Sequence, residues 1–206
     1  MKILAIGSHP DDIEYGCGGT LLIAKRKKYE INLLVVTQGQ AGGAWALRKK
    51  EQERAAKKLN AKLIWGGMQD TKVELNRELI QLLEKSISEV NPDIIFVTSP
   101  QDTHQDHRNV ATAVISAARH IKNVLFYEEP SSIHFQPCVY VNITKVIREK
   151  AKLLRLHKSQ ECNTSVKGLN IVESAEACSI YRGFQDRVKY AEGFLPLHLE
   201  MSEFKW

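Results

Sequence analysis

Short apolar runs alternate with longer stretches of helical spacing through the first two thirds of the chain. Residues 2 to 7 (KILAIG), 31 to 37 (INLLVVT), 62 to 65 (KLIW), 93 to 98 (DIIFVT) and 123 to 127 (NVLFY) are dense in β-branched and aromatic side chains. Such runs suit strands covered on both faces. Between them lie helical segments. The clearest spans 74 to 90, where Leu75, Leu79, Leu82, Leu83, Ile87 and Val90 recur at helical spacing and Asn91-Pro92 stops the pattern. Strand and helix in alternation predict an α/β fold, a Rossmann-like open, mostly parallel sheet with helices on both faces. The common strand order 3-2-1-4 would make strands one and four neighbours and put a site at their carboxyl ends.

After Tyr127 the pattern changes. A Pro-Ser-Ser turn leads to another strand candidate at 138 to 143, and Thr144 reads as the N-cap of a helix through His157. No linker, internal repeat or low-complexity stretch interrupts the chain, so residues 1–206 are expected to form one domain.

Ionisable residues gather where ligands of open parallel sheets bind, beyond the carboxyl ends of strands. His9-Pro10-Asp11-Asp12 follows the first strand, Gln38-Gly39-Gln40 the second, and Ser99 to His107 (SPQDTHQDH) the fourth. His9, Asp12 and His107 supply two nitrogens and one oxygen, the three-ligand set that holds a catalytic zinc and leaves one position open for water. Asp11 is then free to take a proton from that water, and His104 faces the far side of the substrate. Asp106 is expected to hold the His104 ring and keep it protonated. Taken singly, each residue has a plainer explanation: a packed core histidine, a helix cap, a polar turn. Two such clusters at two strand ends favour the metal site. The Gly16-x-Gly18-Gly19 stretch is not a dinucleotide fingerprint, because the third glycine would fall at Leu21. Those glycines more simply let a helix start close under the sheet.

Charge and cysteine content narrow the class. The net charge of +5 arises largely from Lys/Arg runs on expected helices, with no interleaved aromatics, so no nucleic-acid partner is expected. Cys17, Cys138, Cys162 and Cys178 form no paired motif and fit a reducing compartment. No apolar run approaches transmembrane length, and the chain is expected to be cytoplasmic.

The motifs "HPDDIEYGCGGTL", Thr37-Gln38-Gly39, "LRKKEQERAAKKLNA", "HQDH" and the late "YAEGF" together resemble the PIG-L/LmbE-like zinc-dependent de-N-acetylases. The resemblance covers most of the chain and is weakest from about 143 to 183. It implies a hydrolase that removes acetyl from an N-acetylglucosamine-type sugar or glycoconjugate, with zinc on His9, Asp12 and His107. It also implies Asp11 as general base, His104 as the group that stabilises the oxyanion and assists the leaving amine, and Arg48 as a substrate-binding residue at the mouth. Gln40 departs from the Glu that many relatives carry in this turn, which bears on substrate choice. Relatives of this kind often assemble, so a homo-oligomer is compatible with the resemblance. Two other readings stand beside it: a phosphoesterase-like metal hydrolase, and a catalytically silent sugar-binding protein.

Overall fold

The apolar runs become strands whose alternate side chains feed two cores. The computed structural model describes residues 1–164, 166–200 and 202. Strand β1 (Lys2–Gly7) pairs in parallel with β2 (Glu30–Thr37) on one side and with β4 (Ile94–Thr98) on the other. Strand β3 (Lys62–Met68) extends the sheet beyond β2, and β5 (Val124–Tyr127) beyond β4, both in parallel. The expected 3-2-1-4 order is therefore present, and β1 and β4 are neighbours. Strands β6 (Val139–Asn142) and β7 (Ala191–His198) complete an order β3-β2-β1-β4-β5-β7-β6, β7 running antiparallel to both its neighbours.

On β1, Ile3 and Ala5 face one core while Leu4 and Ile6 face the other, the period-two alternation of a strand buried on both sides. Helices α1 (Asp12–Arg26), α2 (Trp45–Leu59) and α5 (Ile147–Leu154) cover the first face with Leu21, Leu22, Ala55, Leu59 and Leu153. Helices α3 (Arg77–Val90) and α4 (Gln105–Ala117) cover the second with Leu79, Leu83, Val110 and Val114. Helix α6 (Ile171–Gln185) packs on α5 and β7. The glycines of α1 act as the sequence suggests. A Cβ on Gly16 would lie 1.9 Å from the Tyr127 ring, and one on Gly19 would lie 2.8 Å from Ile143.

Two expectations about elements need correction. Helix α3 begins at Arg77 rather than 74, because the Asn76 side chain caps it by accepting the Leu79 N–H (3.0 Å), and Leu75 stays exposed outside it. Helix α5 begins at Ile147 and ends at Leu154, because the Thr144 hydroxyl is bonded to the Tyr190 backbone instead of capping. Neither α6 nor β7 is evident from periodicity. Ile180, Tyr181 and Phe184 lie exposed on α6, blurring its apolar stripe, and Pro196 lies within β7, where the register against β5 shifts.

Candidate metal centre at the ends of β1 and β4

Chain geometry just after β1 fixes the first cluster. Asp12 opens α1, and its Oδ2 accepts the backbone N–H groups of Ser8 and His9, both at 2.9 Å. Asp11, the residue between Pro10 and α1, is left-handed (φ 96°), a conformation that costs energy for a side chain with a Cβ. Two residues of α2 hold it there. Gln52 Oε1 accepts the Asp11 N–H (3.2 Å), and Arg48 Nη2 donates to Asp11 Oδ1 (3.2 Å). Gln52 is itself oriented by donating to buried Glu14 (2.8 Å), which lies 3.4 Å from the His157 ring.

The second cluster is placed by the start of α4. His104 is its N-cap, with Nδ1 accepting the Asp106 N–H (3.2 Å), and His107 follows in the first turn. The clusters meet: His9 Nδ1 lies 3.2 Å from His107 Nε2, and Asp12 Oδ2 lies 3.5 Å and 3.4 Å from those two nitrogens. Three donor atoms thus form a nearly equilateral triangle, the arrangement of side chains that share one cation. The His104 ring is 4.6 Å from that of His9 and 4.8 Å from that of His107. Two further trios have donor atoms within 4.8 Å of one another, His9/His104/His107 and His9/Asp70/Asp106.

Carboxylates behind the triangle orient its imidazoles. His9 Nε2 faces Asp70 Oδ1 (3.0 Å) and Asp106 Oδ2 (3.1 Å), and His107 Nδ1 faces Asp102 Oδ2 (3.2 Å). A ring nitrogen anchored to a carboxylate turns the other nitrogen's lone pair inward, as in metal-ligating histidines. Asp70 and Asp102 were given no role by sequence reasoning. Asp102 stands within the polar run after β4, and Asp70 just after β3, where the strand-end rule could have pointed to it.

Electrostatics follow the packing. Burial would raise the Asp12 carboxyl, yet the His107 and His9 rings outweigh it and hold the group well below the usual carboxylate range. Burial would lower His107, but Asp12 and Asp102 bring it up to about 9. Burial raises the Asp11 carboxyl to about 6, against the pull of Arg48 and His157. Burial, with His9 and His107 beside it, lowers His104.

Two of the expected roles meet a different geometry. Asp106 does not hold the His104 ring. Its carboxylate instead faces His9 and accepts the backbone N–H groups of Thr71 (2.8 Å) and Val73 (3.3 Å). His104 is correspondingly not a cation paired with Asp106, because an Nδ1 that accepts a backbone N–H carries no proton. Arg48 is not at a mouth. It is 4% exposed and donates to the carbonyls of Gly39 (2.6 Å) and Pro10 (2.7 Å), clamping the turns that follow β2 and β1. A cavity of about 170 Å³ opens beside the triangle, lined by Asp11, Asp12, His107, Tyr15, Glu129 and Ile171, among others.

A mostly parallel α/β sheet with a His/Asp group able to hold a metal at its strand ends places the chain among α/β proteins with a candidate metal site at the carboxyl edge of the sheet. The chain belongs to the PIG-L family, GlcNAc-PI de-N-acetylase, whose model matches residues 4–118. It is 34% identical to the uncharacterized deacetylase YaiS of Escherichia coli K12 over 76% of this chain and 90% of that protein. It is 27% identical to the diacetylchitobiose deacetylase of Thermococcus kodakarensis, over 77% of this chain and 70% of that one. The crystal structure of a conserved protein from Thermus thermophilus superposes with a TM-score of 0.86 at 26% identity, covering 99% of each chain. Curated relatives are named deacetylases, that is, hydrolytic amidases. The solved structures that share the fold include deacetylases and also a hydratase from Pseudomonas putida, with a TM-score of 0.82 at 18% identity over 100% of this chain and 99% of that one. Among the described residues no helix is long and apolar enough to cross a membrane.

Proposed function

We propose that this chain, acting as one deacetylase domain, is a zinc-dependent hydrolase that removes the acetyl group from an N-acetylglucosamine-type sugar, with zinc held by His9 Nδ1, Asp12 Oδ2 and His107 Nε2. One observation carries the reading, the triangle of 3.2, 3.4 and 3.5 Å that opens on a cavity walled by Asp11. Tetrahedral zinc bound at about 2.0–2.1 Å keeps its nitrogen and oxygen ligands about 3.3 Å apart, which these separations match. The other two trios fit less well. His104 Nδ1 is committed to capping α4, while the Asp106 carboxylate already accepts the backbone N–H groups of Thr71 and Val73 and the Asp70 carboxylate that of Ala41.

Zinc in this place supplies a Lewis acid for the amide carbonyl and brings the pKa of a water toward neutrality. Asp11, on the wall of the cavity, would accept a proton from the attacking water as its oxygen adds to the carbonyl carbon. Arg48 on Oδ1 and Gln52 on the backbone N–H fix the direction in which Asp11 does so. His104, with Nδ1 occupied as an acceptor, carries its proton on Nε2 and donates a hydrogen bond to the oxygen where negative charge develops. The C–N bond then breaks, the amine takes the proton held by Asp11, and acetate departs. No nucleophilic side chain takes part. The sugar class is supported by what the relatives act on, diacetylchitobiose in one case. The four unpaired cysteines, Cys17, Cys138, Cys162 and Cys178, support a reducing, cytoplasmic location.

The test is amine and acetate release by the zinc-loaded protein from a panel of N-acetylated sugars, with phosphate monoesters as controls. Release from at least one sugar, absent after chelation and restored by zinc, is expected. Hydrolysis of phosphate esters alone would refute the assignment.

A further inference from the structure

The loop after β5 brings into the cavity a carboxylate that the hydrolytic steps leave unused. Glu129 is 6% exposed and lines the cavity together with Asp11, Asp12 and His107. No described residue donates a hydrogen bond to its carboxylate, and Oε1 is shut off from solvent without a partner. A buried acceptor without a donor is expensive, so a fold that keeps one is explained when a ligand brings the donor.

The loop cannot readily swing this group away. The Glu129 N–H donates to Ser132 Oγ (2.9 Å), and the Ser132 N–H donates back to the Glu129 carbonyl (3.0 Å). Ser132 Oγ donates in turn to Asp102 Oδ2 (3.1 Å), the same oxygen that lies 3.2 Å from His107 Nδ1. Backbone bonds from Thr103 to Ser131 (3.0 Å) and from Ile133 to Gln101 (2.9 Å) zip this loop to the one after β4. Glu129 is therefore held in register with His107. Around it Tyr15, Pro130 and Ile171 present apolar surface. Apolar walls with a single unpaired carboxylate complement a sugar ring, whose C–H face is apolar and whose hydroxyls donate.

We infer that Glu129 accepts a hydrogen bond from a ring hydroxyl of the N-acetylated sugar and so selects a hydroxylated ring beside the scissile amide. This rests on the deacetylase reading above. The assay compares N-acetylglucosamine with N-cyclohexylacetamide, the same acetamide on a six-membered ring without hydroxyls, and takes the ratio of their kcat/KM values. In Glu129→Leu, which removes the acceptor, that ratio falls at least about 10-fold, the size expected when a buried hydroxyl loses its partner, and in Glu129→Gln, which keeps an amide oxygen, it falls less. A ratio within about 2-fold of wild type in both folded, zinc-loaded variants overturns the inference. If the wild type releases amine from no sugar of the panel above, it is the deacetylase assignment that fails. Binding of N-acetylglucosamine, followed by ligand-observed NMR, then decides the role of Glu129. Weakening by at least about 10-fold in Glu129→Leu supports it, while equal affinity, or no binding by the wild type, overturns it.

Discussion

Replacing Asp106 by Ala separates the geometry found here from the role the sequence suggests for this residue. The Asp106 side chain is fully buried, and its oxygens accept from His9 Nε2 (3.1 Å), Thr71 N–H (2.8 Å) and Val73 N–H (3.3 Å). In Asp106→Ala the two backbone donors lose their acceptor inside the protein, while His9 keeps Asp70 at 3.0 Å. Orphaned buried donors and lost charge-assisted bonds at this site add to about 3–5 kcal/mol. For a chain of this length that lowers the unfolding midpoint by roughly 6–20 °C. A freer His9 ring also weakens metal binding by about 10-fold to 100-fold. Thermal unfolding of the metal-free protein and zinc competition against a chelator measure both quantities. Unchanged stability and unchanged zinc affinity, with only turnover lost, would refute the argument and restore a pairing of Asp106 with His104.

Asp11→Asn keeps the shape and the zinc but cannot accept a proton at useful strength, so turnover falls about 100-fold to 10,000-fold. Steady-state kinetics beside metal analysis checks this, and near wild-type turnover counts against Asp11 as base. Gly16→Ala drives a methyl to within 1.9 Å of the Tyr127 ring, whose hydroxyl is bonded to the Ile6 carbonyl (2.8 Å), and costs at least about 3 kcal/mol in denaturant unfolding. His157 gives a pH signature. Burial lowers its pKa, the adjacent Glu14 carboxylate raises it, and the net shift is upward. The stabilising contribution is thus complete below about pH 6.5 and fades as pH rises through the folded-state pKa. The stability gap between wild type and His157→Gln should accordingly narrow with rising pH, and a gap that widens would reverse the assignment.

The sheet was legible because four of its five parallel strands, β1, β2, β4 and β5, are buried on both faces, and continuous apolar runs such as 31 to 37 have few other uses. The meeting of His9 with His107 was legible for the same reason, since the order 3-2-1-4 follows from topology rules and sets those strand ends side by side. What stayed hidden depends on side-chain direction. Asp106 and His104 are two residues apart at a helix start, and spacing alone does not say that one faces His9 while the other turns its ring back to cap α4. Arg48 at the mouth is what the family resemblance implies, and a motif match does not show that its guanidinium reaches across to two carbonyls in other loops. Helix α6 had a readable signal in the capping box of Asn170 and Glu173, which its exposed Ile180, Tyr181 and Phe184 obscured.

Calorimetric titration of zinc into the metal-free protein and three single variants tests the proposed centre most directly. One equivalent of zinc should bind the wild type and His104→Ala, while Asp12→Ala and His107→Ala should lose the high-affinity site, because the triangle of His9, Asp12 and His107 matches the ligand spacing of a single ion. Full zinc occupancy in Asp12→Ala together with its loss in His104→Ala would put the ion among three imidazoles and contradict the account.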